Sequence, residues 1–76
     1  MKLSAETRKD AKKYNAEWEI FEGYNHETGE STYYASYGVA YRYTSAKVRR
    51  GIPMTILGHR WSDELEDFET KELITC

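Results

Sequence analysis

Ser31-Thr32-Tyr33-Tyr34-Ala35-Ser36-Tyr37-Gly38-Val39-Ala40-Tyr41-Arg42-Tyr43-Thr44-Ser45-Ala46-Lys47-Val48-Arg49-Arg50 is compatible with two different backbones. Tyr33, Ala35, Tyr37, Val39, Tyr41 and Tyr43 recur at every second position, which is the period of a strand, and tyrosine favours strands. Divided at Gly38, the same residues make two helices. Ser31 or Thr32 caps a short helix through Tyr37, Gly38-Val39 turns, and Tyr41 to Arg50 forms a second helix ended by Gly51. On that second helix Thr44 and Val48 lie one turn apart and point inward with Tyr41. Arg42, Ser45, Lys47, Arg49 and Arg50 take the remaining, mostly exposed face.

On the N-terminal side, residues 17–24 read as a strand. Trp18, Ile20 and Phe21 favour β structure and partly alternate with Glu17, Glu19 and Glu22. Asn25 to Glu30 is polar and ends in Thr28-Gly29, which marks a turn with Gly29 as the candidate for positive φ. Residues 4–15 look helical, with Ser4 as the cap and Ala11, Tyr14 and Trp18 as a weak apolar stripe. On the C-terminal side, Pro53 suits the first position of a short turn or helix carrying Met54, Ile56 and Leu57, with Gly58 to stop it. Ser62-Asp63-Glu64 then opens a last helix, with Trp61, Leu65 and Phe68 as its buried stripe.

The 76 residues suffice for one small domain, and 39% apolar against 32% charged residues is not the profile of a disordered chain. Much of the available core is aromatic, with seven Tyr, two Trp and two Phe. No apolar run approaches the roughly 20 residues that a membrane-spanning helix needs. The single cysteine, Cys76, excludes an internal disulfide and a cysteine-based zinc site. These features lead us to expect a cytoplasmic protein without membrane contact or cofactor.

The net charge of −2 hides a segregated pattern. Residues 1–15 are basic overall, through Lys2, Arg8, Lys9, Lys12 and Lys13. Residues 16–30 hold Glu17, Glu19, Glu22, Glu27 and Glu30 with no cation. Residues 31–61 hold Arg42, Lys47, Arg49, Arg50 and Arg60 with no acid. Residues 62–76 hold Asp63, Glu64, Glu66, Asp67, Glu69 and Glu72 against Lys71 alone. An acid-free stretch of this length reads as a basic face for phosphate, or as one half of a charge pairing inside the fold. The overall acidity argues against nucleic-acid binding driven by net charge.

Gly38-Val39-Ala40-Tyr41-Arg42-Tyr43-Thr44-Ser45-Ala46-Lys47-Val48-Arg49-Arg50-Gly51 resembles the helix-turn-helix segment of the small modular DNA-binding units found beside phage homing endonucleases. Those units share a Gly-Val-Ser turn, a helix with an inward aliphatic residue and an Arg-Ile-Arg-Arg-Gly-type ending. The spacing of the two glycines matches, and Lys47-Val48-Arg49-Arg50-Gly51 fits the ending. Thr28-Gly29-Glu30 is similar to the turn leading into such units, so the resemblance covers about residues 17–58. Ala40 stands where Ser or Thr usually caps the second helix, and Thr44 stands where an aliphatic is common. No nuclease motif accompanies the segment.

The resemblance implies sequence-specific binding of double-stranded DNA, in a phage regulatory protein. Such a unit lays its second helix in the major groove. Tyr41, Arg42 and Ser45 near the helix start are then the base-edge candidates, with Arg42 suited to a bidentate contact with guanine. Lys47, Arg49 and Arg50 face phosphates, and Arg60 with Lys12 or Lys13 extends that track. The fold implied is α+β: an N-terminal helix, a short strand or hairpin, a helix-turn-helix and a C-terminal acidic helix. The rival is an antiparallel sheet from residues 17–24 and 31–44, flanked by two terminal helices.

The competing function is a small acidic inhibitor, of the phage host-takeover or nucleic-acid-mimic type. It would present the carboxylates of residues 62–72 on a helix to a host nucleic-acid enzyme. No Gly-rich phosphate loop, nucleophile elbow or paired-His metal motif is present, so we expect no enzyme and no metal site. His26, His59, Glu27 and Arg60 are the residue types of a small ribonuclease, but nothing in their spacing assembles them. The two histidines read as turn or surface residues.

Overall fold

The computed structural model describes residues 5–75. Along them run α1 (Ala5–Glu17), β1 (Ile20–Asn25), β2 (Ser31–Tyr34), α2 (Tyr37–Val48), β3 (Met54–Ser62) and β4 (Asp67–Thr75). The strands form one antiparallel sheet in the order β2-β1-β3-β4. Both helices cover the same face of this α+β domain, and the other face is open to solvent. The cap expected at Ser4 lies outside the described residues.

Alternation explains which face is which. Along β1, Phe21, Gly23 and Asn25 are buried and Ile20, Glu22 and Tyr24 are not. Phe21 pairs with Gly58 and Gly23 with Ile56, so these residues share the face beneath the helices. Phe21 and Ile56 are fully buried there, with Ala11, Trp18, Tyr37 and Ala40. The ring of Tyr37 lies 4.8 Å from that of Tyr14 and meets Phe21 edge-on at 5.9 Å. Asn15 Oδ1 accepts the Tyr37 backbone N–H at 2.8 Å, which ties the end of α1 to the start of α2. The β1–β2 turn is held by Asn25, whose Oδ1 accepts the N–H groups of Glu27 and Thr28. Gly29 closes that turn at φ +75°, the conformation expected of it.

The stretch from Ser31 to Arg50 combines the two backbones instead of choosing between them. Ser31–Tyr34 pairs with β1 as an edge strand, so the short helix expected from Ser31 or Thr32 through Tyr37 does not form. The helix starts at Tyr37 and runs through Gly38 to Val48. One strand and one helix therefore stand where a helix-turn-helix was expected, and Gly38-Val39 makes no turn. Ser36 accounts for the start: extended at φ −139°, it accepts the Val39 N–H on Oγ at 3.2 Å. The expected terminator is in place, with Gly51 at φ +84° just past the helix. Ser36→Ala is expected to cost about 1 kcal/mol of unfolding free energy by urea denaturation. A helix starting at Tyr41 would leave that substitution neutral.

The C-terminal acidic helix is absent, and residues 62–75 form a hairpin and a strand. Ser62 does act as a local cap, with its Oγ accepting the Leu65 N–H at 3.4 Å. The chain reverses after that single turn, with Glu66 at φ 51°. Trp61 and Phe68 then face each other across the hairpin with rings edge-on at 5.5 Å, so their helical spacing was coincidental. Met54 to Leu57 is strand, not a turn or helix. Met54, Thr55 and Ile56 are buried in succession, a run that carries no period. Gly58 stops nothing: it lies within β3 under the indole of Trp18. No described helix is long and apolar enough to cross a membrane.

Candidate functional site on helix α2 and the open sheet face

Helix α2 advances about 100° per residue. One side of it holds Tyr37, Ala40 and Thr44, all buried. The opposite arc holds Val39, Arg42, Tyr43, Ala46 and, past the last turn, Arg50, all exposed. Lys47 flanks this arc on one side and Arg49 on the other. No Asp or Glu occurs anywhere in α2. Among the described residues no ion pair joins Arg42, Lys47 or Arg50 to a carboxylate.

The candidates separate accordingly. Arg42 and Arg50 lie on the arc, with Lys47 and Arg49 at its sides. Tyr41 does not: it is half-buried, 6.1 Å from the ring of Tyr37, and lines a cavity of about 250 Å³ with Thr44, Val48 and Ile56. Ser45 turns toward the same cavity, and its hydroxyl donates to the Arg42 carbonyl at 3.2 Å. Helical spacing sets Tyr41 on the inward side with Thr44 and Val48, and Ser45 lies at the edge of that side. Arg60 belongs to β3, apart from the arc. Its Nε donates to Glu69 at 2.7 Å, and its guanidinium lies 4.6 Å from the ring of Trp18.

Tyr43 was missed by the sequence reading. It is exposed on the arc and stacks on Tyr34 of β2, with rings nearly parallel and centroids 5.8 Å apart. A helix placed from a Ser36 cap would have found it one turn from Val39.

The open face of the sheet carries different chemistry. A polar row crosses all four strands there. Ser31 on β2 donates to Glu22 Oε2 at 2.5 Å, His59 Nε2 on β3 donates to Glu22 Oε1 at 2.8 Å, and His59 Nδ1 meets Thr70 Oγ1 on β4 at 2.8 Å. His59 is thus a mid-strand residue bridging its neighbours, not a turn residue. Beside the row lies an apolar groove of about 240 Å³ lined by Ile20, Tyr33, His59 and Phe68.

The residues considered for a ribonuclease are kept apart. His59 pairs with Ile20 at one end of the β1–β3 ladder, while His26 lies beyond Asn25 at the other and bonds Thr55 at 2.6 Å. Arg60 faces the helical side of the sheet. Among the described residues no three His, Cys, Asp or Glu side chains are grouped to hold a metal ion. Comparison with family models, with curated proteins and with solved structures gives no match.

Proposed function

We propose that the protein binds double-stranded DNA in a sequence-selective way, by laying α2 in the major groove. One observation carries this reading: the whole outward arc of α2 is free of carboxylates, while Arg42, Lys47 and Arg50 have no acidic partner among the described residues. A helix of 12 residues is about 18 Å long, enough to follow the groove across several base pairs. Val39 and Ala46 are small, which permits close approach at the centre of the arc. Arg42 reaches base edges there, where its fork matches the acceptors of guanine. Lys47 and Arg50 meet phosphates, which set position and not sequence. Tyr43, braced on Tyr34, is held rigidly beside Arg42. The charge segregation supports the same polarity, since a helical layer rich in cations faces the duplex and the acidic hairpin points away from it.

Fluorescence anisotropy with labelled duplexes at several salt concentrations tests this. Two neutralised phosphates give a slope of log K against log salt of about −2. The Lys47→Ala, Arg50→Ala double variant is expected to flatten that slope by about 2. Selection from random duplexes should return a preferred sequence that Arg42→Ala loses. An unchanged slope in the double variant, or no retention at low salt, refutes the proposal.

A further inference from the structure

We infer that the open sheet face is a second binding surface, and that it takes an extended basic segment of another protein. Among the described residues seven large apolar side chains are exposed: Ile20, Tyr33, Val39, Tyr43, Trp61, Leu65 and Phe68. Val39 and Tyr43 belong to the arc of α2. Ile20, Tyr33, Trp61 and Phe68 all lie on the open face, by the pairings Ile20 with His59, Glu22 with Tyr33 and Trp61 with Phe68. Tyr33 is 62% exposed and Phe68 49%, and between them runs the groove over His59. An aromatic patch of this kind on a sheet with no covering layer marks an interaction surface.

The charge around the patch indicates the occupant. Glu72 projects from the face itself, and Glu22, whose two carboxylate oxygens are held by Ser31 and His59, lies in its floor. Asp63 accepts the Trp61 indole N–H at 3.0 Å and so stands at the rim of the patch, where Glu64 and Glu66 continue the turn. Among the described residues no lysine or arginine lies on this face. Arg60 and Lys71 pair with Glu69 and Gly58, and so point to the helical side. Every other cation of the described chain is on α1, on α2 or in the turn after α2. Nucleic acid is therefore repelled from this surface, although its tyrosine and phenylalanine would suit base stacking. A peptide with lysine or arginine at alternate positions fits it, because the cations meet the carboxylates and the aromatic rings while one apolar residue fills the groove. The polar row Ser31-Glu22-His59-Thr70 keeps the groove floor rigid, since each member is already bonded to its neighbour.

The test is an NMR titration of the ¹⁵N-labelled full chain with two synthetic ten-residue peptides. One alternates arginine with leucine, and the other alternates glutamate with leucine. The arginine peptide is expected to move the signals of Tyr33, His59 and Phe68 and the indole N–H of Trp61, and the glutamate peptide to leave them in place. Phe68→Ala and Tyr33→Ser, each checked for the native fold by circular dichroism, are expected to weaken binding by about tenfold. Arg42→Ala is expected to leave it unchanged, so this surface and the DNA proposal stand or fall separately. The inference is overturned if neither peptide moves these signals, if both do so equally, or if both substitutions leave the affinity intact. It is also overturned if the same signals shift with protein concentration alone, which would assign the face to a second copy of this chain.

Discussion

Gly58→Ala is expected to destabilise the domain by about 1–3 kcal/mol, and Gly58→Val to prevent stable folding. A Cβ at this position would lie 2.7 Å from Trp18 Cγ, 2.8 Å from Cδ2 and 3.1 Å from Leu73 Cδ1. The indole cannot simply yield, since Trp18 is buried at the end of α1 and its backbone N–H is bonded to the Tyr14 carbonyl at 2.9 Å. It also carries the Arg60 guanidinium on its ring. Trp18 is where α1 is seated on the sheet, and lifting it leaves the helix held to α2 through Tyr14 and the Asn15–Tyr37 bond. Total stability for a chain of this length is about 4–11 kcal/mol. The larger steric cost of Gly58→Val, added to the lost Trp18 contact, takes most of it. Urea denaturation followed by tryptophan fluorescence measures the effect. The cost of Gly58→Ala should shrink in a Trp18→Ala background, because the clashing ring is gone. A Gly58→Ala protein as stable as the parent would contradict the seating of Trp18 on β3.

Phe21→Ala is expected to cost about 3–5 kcal/mol, a large share of a total of about 4–11 kcal/mol. Phe21 is fully buried, and its ring packs edge-on against Tyr37, linking β1 to α2. Its cross-strand partners offer little to refill the space: Gly58 has no side chain, and Tyr34 is stacked on Tyr43. The loss is read as a lower urea midpoint and a thermal transition lowered by well over 10 °C, on a scale of about 4–8 °C per kcal/mol for a domain of this size. Phe21→Leu, which keeps most of the apolar volume, should recover a large part of it. A surface substitution such as Ala46→Ser bounds the error of the comparison at a few tenths of a kcal/mol.

The proposed DNA-binding arc was partly legible in the sequence. Arg42, Lys47, Arg49 and Arg50 form one acid-free group whatever the backbone does, and Gly51 marks where the helix must end. Which neighbours join them was not legible. Tyr41 and Tyr43 are two residues apart and chemically identical, yet one packs inward and the other faces solvent. Helical spacing separates them, since Tyr41 shares the inward side with Thr44 and Val48, but only once this segment is a helix and not the alternating strand. The open sheet face was less legible still. Tyr33 and Phe68 are 35 positions apart, and only the β2-β1-β3-β4 order places them around one groove.

Local chemistry alone determined α1, the β1 strand, the Asn25–Gly29 turn and the glycine end of α2. Each depends on interactions between residues a few positions apart, such as a capping side chain, an alternating strand or a backbone needing positive φ. Tertiary structure alone decided the identity of residues 31–34 and 54–75. Ser31–Tyr34 became a strand because β1 offers it a hydrogen-bonding edge. Ser62 began a helical turn, but eight residues of Asp67–Thr75 pair with β3 in one ladder. A short helix of acids with a weak apolar stripe could not match that ladder, because a helix so short gains little in water without a face to bury.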